Sequence, residues 1–205
     1  MPKKILFTDT ETTGVDEKDQ DGYTLLAHEV HSIIELSGII DIDGKMVDKF
    51  QLYARPKEGD PVSAEALNKN GRTKEEIASF PPQVEMYKRF IEILGKWVDP
   101  MDKEDKLWFV AFGPGRGAGF DNEFLRSLFA DQGDVYFGSW FWVPYIDIMQ
   151  LAGIVLMESG GRELMPNMKL ASLAYQLGIQ TKEENFHDGL YDSRIMRMIY
   201  YKLMS

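Results

Sequence analysis

Asp9 and Glu11 stand two residues apart in KKILFTDTETTG, an apolar stripe that turns acidic at its end. Alternation from Lys4 to Glu11 predicts a strand with Ile5, Phe7, Asp9 and Glu11 on one face and Leu6, Thr8 and Thr10 on the other. The two carboxylates then project from the same side about 7 Å apart. They repel by on the order of 1 to 4 kcal/mol depending on the local dielectric, and a divalent cation converts that repulsion into a binding site. Hard oxygen ligands favour Mg²⁺ or Mn²⁺. Two ordinary acids at a solvated strand end is the plainer alternative, so the pair needs company. Two segments supply it: in GFDNEFL, Asp121 opens a helix after a glycine-rich loop, and in NFHDGLYD, His187 sits at a helix entrance with Asp192 following. Singly, each reads as an acid or histidine favoured at a helix end or surface.

Composition narrows what such residues can do. With no cysteine and three histidines (His28, His31, His187), disulfides, thiolate zinc sites, cysteine nucleophiles and a histidine-rich metal cage are excluded, so any metal sits mainly on oxygen. The formal charge is -10, the opposite of the basic footprint of a protein that wraps duplex DNA. An enzyme gripping a few nucleotides is still allowed, because acids gathered at a metal site are neutralised by the ions they hold. No stretch approaches the apolar length of a membrane span, and Ile5, Leu6 and Phe7 are too short a run for a signal peptide, so the expectation is a cytoplasmic protein without a membrane partner.

The elements that must position these residues follow from periodicity. Ser32–Ile40 and Lys45–Tyr53, joined by Asp43-Gly44, read as a β-hairpin. Ser63–Asn70 and Thr73–Ser79 read as short helices, and Gln83–Val98, entered after two prolines, as the first long one. Leu107–Phe112 reads as a buried strand and Phe120–Ala130 as an amphipathic helix. Helices are also expected over Asp147–Ile154, Lys169–Leu177 and Asp188–Met204. With no repeat and no long linker, residues 1–205 are expected to form one α/β domain around a mixed central sheet.

In chain order, FTDTETTG, SIIELSGII, ALNKNGRTKEEI, GFDNEFL and NFHDGLYD resemble the successive motifs of the DEDDh exonucleases, the family of polymerase proofreading subunits. Several motifs in order carry more than any one of them. The resemblance implies a ribonuclease H-like fold, a mixed central β-sheet flanked by helices, and metal-dependent release of nucleoside 5′-monophosphates from a 3′ end. Position by position, it implies Asp9, Glu11, Asp121 and Asp192 as the acids holding two Mg²⁺ or Mn²⁺ ions and His187 as the general base. Two such ions can clamp a scissile phosphate, one activating water and the other stabilising the leaving oxygen. A histidine with an ordinary pKa of about 6.5 can accept the proton. Thr12, Thr13 and Phe120 resemble positions beside the terminal nucleotide, and Arg116, in the glycine-rich loop, is a candidate phosphate contact whose alternative is a solvated loop tip. The implied partner is the 3′ end of single-stranded or frayed DNA, with RNA as the alternative polymer; no polymerase partner is identified.

Two departures stand out. Family members usually place a His-Asn pair shortly before the Phe-Asp of the third motif, whereas this chain reads VAFGPGRGAGFD. That puts affinity or geometry in question and motivates a third reading, a catalytically weak module that binds nucleic-acid ends. The chain also carries roughly ten additional residues within 15–31, read either as a lid over the site or, in preference, as a surface insertion. Glu35 is read as structural, His28 and His31 as having no catalytic part, and the rings between Tyr136 and Tyr145 as half core and half surface.

Overall fold

The computed structural model describes residues 2–113, 118–158, 169–182 and 186–205. In chain order the elements are β1 (Lys4–Thr12), β2 (Glu17–Lys18), β3 (Thr24–Leu25), α1 (Ala27–Val30), β4 (Ile33–Ile42), β5 (Lys45–Tyr53), α2 (Ala64–Asn70), α3 (Lys74–Ala78) and α4 (Gln83–Leu94). They continue with β6 (Trp108–Ala111), α5 (Gly119–Asp131), α6 (Phe137–Trp140), β7 (Ile146–Asp147), α7 (Ile148–Glu158), α8 (Leu170–Gln176) and α9 (Gly189–Leu203). Five strands make the main sheet in the order β5-β4-β1-β6-β7. β1 runs antiparallel to β4 and parallel to β6, so the sheet is mixed, as expected.

Alternation along β1 splits the core in two. Leu6 faces a cluster with Phe90, Leu94, Phe109 and Phe129, which seats α4 and α5 on one side of the sheet. Ile5 and Phe7 face Val110, Ile195, Met196 and Ile199, which seats α7, α8 and α9 on the other. Phe7 meets Tyr200 edge-on at 5.5 Å, and each such buried ring contributes about 1.5–3 kcal/mol. Because Asp9 and Glu11 continue the Ile5-Phe7 stripe, they emerge on the α9 side where that core ends.

Local chemistry sets the boundaries. Asp43 and Gly44 both have positive φ (51° and 84°), the left-handed pair that matches a tight hairpin to the twist of its strands. Ser63 and Thr73 are N-caps, each accepting a backbone N–H, so α2 and α3 begin one residue later than the pattern suggested. α4 stops at Leu94 rather than running to Val98, because Gly95 ends the helix and a tight turn carries Val98 back into the core. Asp147 belongs to β7, a strand too short for periodicity to reveal. Phe137, Trp140 and Phe141 are buried while Tyr136 and Tyr145 are exposed, the expected division of that aromatic segment.

The 15–31 insertion forms the small β2–β3 ribbon and α1, and α1 packs on α5. Asp16 Oδ1 accepts the Ala27 N–H at 2.8 Å, and Ser127 Oγ donates to the His28 carbonyl at 3.1 Å. The segment is thus tied down as a folded surface addition. Among the described residues no helix is long and apolar enough to cross a membrane.

Candidate active site

The register of β1 against β4 places Glu11 opposite Glu35 and shifts between Glu11 and Thr12, a bulge that turns the chain just after the second acid. The turn is then locked from behind. Thr13 is fully buried, its N–H donating to the Ser32 carbonyl, its carbonyl accepting from Ser63 N–H, and its hydroxyl accepting from Ser32 N–H at 3.1 Å. His31 lies against Gly14 so closely that a Cβ there would come within 2.2 Å of the ring, and its Nε2 reaches Glu17 Oε1 at 3.1 Å. His31 is therefore an anchor of the turn. Thr12 Oγ donates to the Gly14 carbonyl at 2.7 Å, and Asn70 Nδ2 donates to the Thr12 carbonyl at 3.1 Å, docking the end of α2 beside the strand.

Asp121 reaches the same place from α5. Thr10, on the opposite face of β1 from the acids, donates to Asp121 Oδ1 through its N–H (3.0 Å) and its hydroxyl (2.7 Å). From the other side, Asp147 Oδ2 accepts the Ala118 N–H at 2.6 Å while Oδ1 accepts from Met149 N–H, so one carboxylate ties β7, the start of α7 and the approach to α5 together. Asp192 comes in on the first turn of α9, which Asp188 caps by accepting the Tyr191 N–H. Gly189 lets that turn touch β4: a Cβ would lie 2.9 Å from Ser37 Cβ and 3.0 Å from Glu35 Oε1. His187, just upstream, is exposed and left-handed (φ 72°), and its N–H donates to Asp192 Oδ2 at 3.2 Å. Asp192 Oδ1 is buried without a hydrogen-bond partner among the described residues.

Four acids so placed resist ionising together. Asp9 is raised well above the ordinary carboxylate value, first by burial and then by the charges of Asp121, Glu11, Asp192 and Glu35. Burial and the Glu35 charge push Glu11 up to about 8, with Lys69 pulling the other way. Burial pushes Asp121 up to about 7 against the lowering effect of the Thr10 hydrogen bonds, and Asp192 to about 7 against that of the His187 N–H. His187 is lowered, first by its partial desolvation and then by the charges of Lys69 and Lys169, which favours the neutral imidazole. Among the described residues, no three acidic or histidine side chains are already closed into a cage for an ion. The donor set nonetheless fits divalent cations: hard oxygens, mutual repulsion and one buried oxygen left without a partner.

Of the remaining expected contacts, Phe120 is partly buried, packed on Phe124 at the opening of α5, and Arg116 lies outside the described residues. Sequence reasoning missed Thr10 and Asp147, the supports of Asp121, and Lys69, whose charge bears on Glu11, Asp192 and His187. Thr10 was visible as the off-face residue between two acids. Lys69 was visible within ALNKNGRTKEEI, but only the docking of α2 connects it to the acids. Glu35 is compensated throughout, accepting from Ser37 Oγ (2.9 Å), Gln51 Nε2 (2.8 Å) and Arg72 Nη2 (3.0 Å).

This geometry and the comparisons with known proteins point the same way: the chain has the fold of the DEDDh exonuclease structures it is similar to, and part of its sequence matches an exonuclease family model. The RNase_T family model, described as exonuclease, matches residues 6–104. The chain is 24% identical over 196 residues to a PolC-type DNA polymerase III of Bacillus cereus, covering 96% of this chain and 11% of that protein. It is 24% identical over 204 residues to the DNA polymerase III subunit epsilon of Pasteurella multocida, covering 98% of this chain and 68% of that one. Among solved structures, it is similar to the nuclease domain of 3′hExo, a DEDDh family member bound to rAMP, with TM-score 0.67 and 19% identity, covering 99% of this chain and 92% of that one. The chain thus spans about a tenth of the PolC-type relative and two thirds of the epsilon subunit.

Proposed function

We propose that residues 1–205 form a single cytoplasmic exonuclease domain that removes nucleoside 5′-monophosphates, one at a time, from the 3′ end of single-stranded or frayed DNA. The observation that carries this reading is the convergence of Asp9, Glu11, Asp121 and Asp192, from three separate elements, into one patch of mutually repelling carboxylates beside an exposed histidine. The DEDDh exonucleases that the chain resembles generally depend on divalent metal ions. The four acids would hold two of them, Mg²⁺ or Mn²⁺, and such ions supply an activated water and charge to offset the leaving oxygen. The DNA preference draws on the likeness to two DNA polymerase III proteins.

The chain's own residues then divide the work. Asp192 presents its oxygens beside His187, Asp9 and Glu11 present theirs from the end of β1, and Asp121 is held by Thr10. His187 accepts a proton from the attacking water at an imidazole nitrogen; its lowered pKa leaves that nitrogen free near neutral pH. Thr12 and Phe120 flank the place of the terminal nucleotide. Thr13, whose polar groups are all engaged inside the protein, shapes the turn that carries them.

RNA is the second reading, favoured by the likeness to 3′hExo, which is seen with rAMP. Digestion of a 5′-labelled single-stranded DNA oligonucleotide beside its RNA counterpart, with Mg²⁺, Mn²⁺ or EDTA, tests both. A metal-dependent ladder shrinking from the 3′ end, faster on DNA, is expected. A faster ladder on RNA exchanges the polymer, and binding without cleavage of either sinks the exonuclease reading in favour of an end-binding module.

A further inference from the structure

We propose that the groove between α9 and the outer strand β5 is a second nucleic-acid subsite, holding the body of the single strand whose 3′ end lies at the acids. The groove encloses about 880 Å³, and its lining includes His187 at one end with Lys49, Arg194, Arg197, Met46 and Met198. It is therefore continuous with the proposed active site, and a polynucleotide entering there must leave along an adjoining surface because its nucleotides are covalently joined.

The walls come from two elements. On β5, Lys49 pairs with Ile39 of β4, whose side chain also lines the groove. On α9, Arg194, Arg197 and Met198 are three and four residues apart and so share a face. Arg197 is committed to the protein: its Nε donates to Asp41 Oδ2 at 2.7 Å and its Nη2 to the Gly44 carbonyl at 2.7 Å. Lys49 and Arg194 are exposed, and among the described residues neither side chain has an ion-pair partner. The lining also includes Asp188, the N-cap of α9, but in a chain of formal charge -10 two uncommitted cations against that one carboxylate leave the groove locally positive, complementary to a phosphate backbone.

The rest of the lining suits bases. Met46 and Met198 are 53% and 37% exposed, and thioether side chains adapt to flat, varied partners. Phe186 and Tyr191, edge to face at 5.5 Å, also border the groove and offer an aromatic surface near His187. Apolar groups between separated cations fit an unpaired strand, with its bases turned in and its phosphates turned out.

This subsite rests on the exonuclease reading, and its test separates the two. Binding of 5′-labelled oligothymidylates, from the dinucleotide to about twelve nucleotides, is followed by fluorescence anisotropy in Ca²⁺ across a salt series, with cleavage in Mg²⁺ measured alongside. For the wild type, affinity is expected to climb with length. In the Lys49→Ala/Arg194→Ala double variant the loss should grow with length, to about tenfold on the longest strand, and the salt slope should fall by about 1.4, two phosphates at about 0.7 each. Arg194→Lys should restore part of the slope. A double variant matching the wild type in slope and length dependence overturns the subsite while leaving the exonuclease intact. The same match accompanied by a changed oligomeric state assigns the groove to a protein partner and also overturns it. A wild type that neither binds nor cleaves any strand overturns both readings.

Discussion

Glu11 and Glu35 face each other in one register pair of the same sheet, and they are opposites. Glu35, 4% exposed, is met by a hydroxyl, an amide and a guanidinium, and Arg72 itself is braced by Glu76 and by the rings of Tyr53 and Phe80 at 5.0 and 5.8 Å. Glu11 has no hydrogen-bond donor set against it among the described residues, and burial with the Glu35 charge pushes it up to about 8. Asp41 repeats the first pattern: it is fully buried yet answered by Arg197 and the Tyr201 hydroxyl at 2.7 Å each. Glu35 and Asp41 are fully answered within the fold, whereas among the described residues half-buried Asp9 and Glu11 and the Oδ1 of Asp192 are left without a donor where these acids gather. An acid without an internal partner is what a site awaiting cations requires, and it costs stability.

The sharpest break of that contrast is removal of an uncompensated acid. Asp9→Ala or Asp192→Ala is expected to lower kcat by at least about a thousandfold in the ladder assay, since the ion site is lost with the ligand. Retained activity in either would detach the patch from the chemistry. His187→Ala should lower kcat by about a hundredfold to a thousandfold and flatten the acidic limb of the pH–rate profile. The compensated acid should respond in the other coordinate: Glu35→Gln takes from Arg72 its buried carboxylate, leaving only Glu76, and is expected to cost about 2–3 kcal/mol in denaturant unfolding.

The pH response has a definite sign. Asp121 and Asp192, at about 7, and Glu11, at about 8, lie above their unfolded values, as Asp9 does. A carboxyl raised in the folded state stabilises fully below about pH 4 and loses that contribution as pH rises through its folded pKa. In EDTA the melting temperature is therefore expected to fall from about pH 5 to about pH 8, and a rising profile would erase the distinction between the two sets of acids. Smallest of all, Glu11→Gln should raise the metal-free melting temperature by about a degree or two at neutral pH, where Glu35→Gln lowers it.

How much of this was legible in the sequence follows from the range of each interaction. The β1 alternation, the Asp43-Gly44 hairpin, the short helices at Ser63–Asn70 and Thr73–Ser79 and the amphipathic α5 are written in neighbouring residues, and they agree with the structure to within a residue or two. β7, with two residues, and α1 and α6, with four each, are set by tertiary contacts and leave no periodic trace. The acids themselves were recognisable as spaced motifs. Their supports were not: Thr10 binds Asp121 across 111 positions, and Asp147 reaches Ala118 across 29, distances over which a single sequence carries no pairing signal.

The most direct measurement is a melting curve of the metal-free protein titrated with Mn²⁺ at pH 7.5, beside Asp9→Asn and Glu35→Gln. If the uncompensated carboxylates are a cation site, the wild type and Glu35→Gln should each gain about 5 °C or more at a hundredfold excess over the dissociation constant, and Asp9→Asn should gain little. An equal gain in Asp9→Asn, or none in the wild type, would contradict the account.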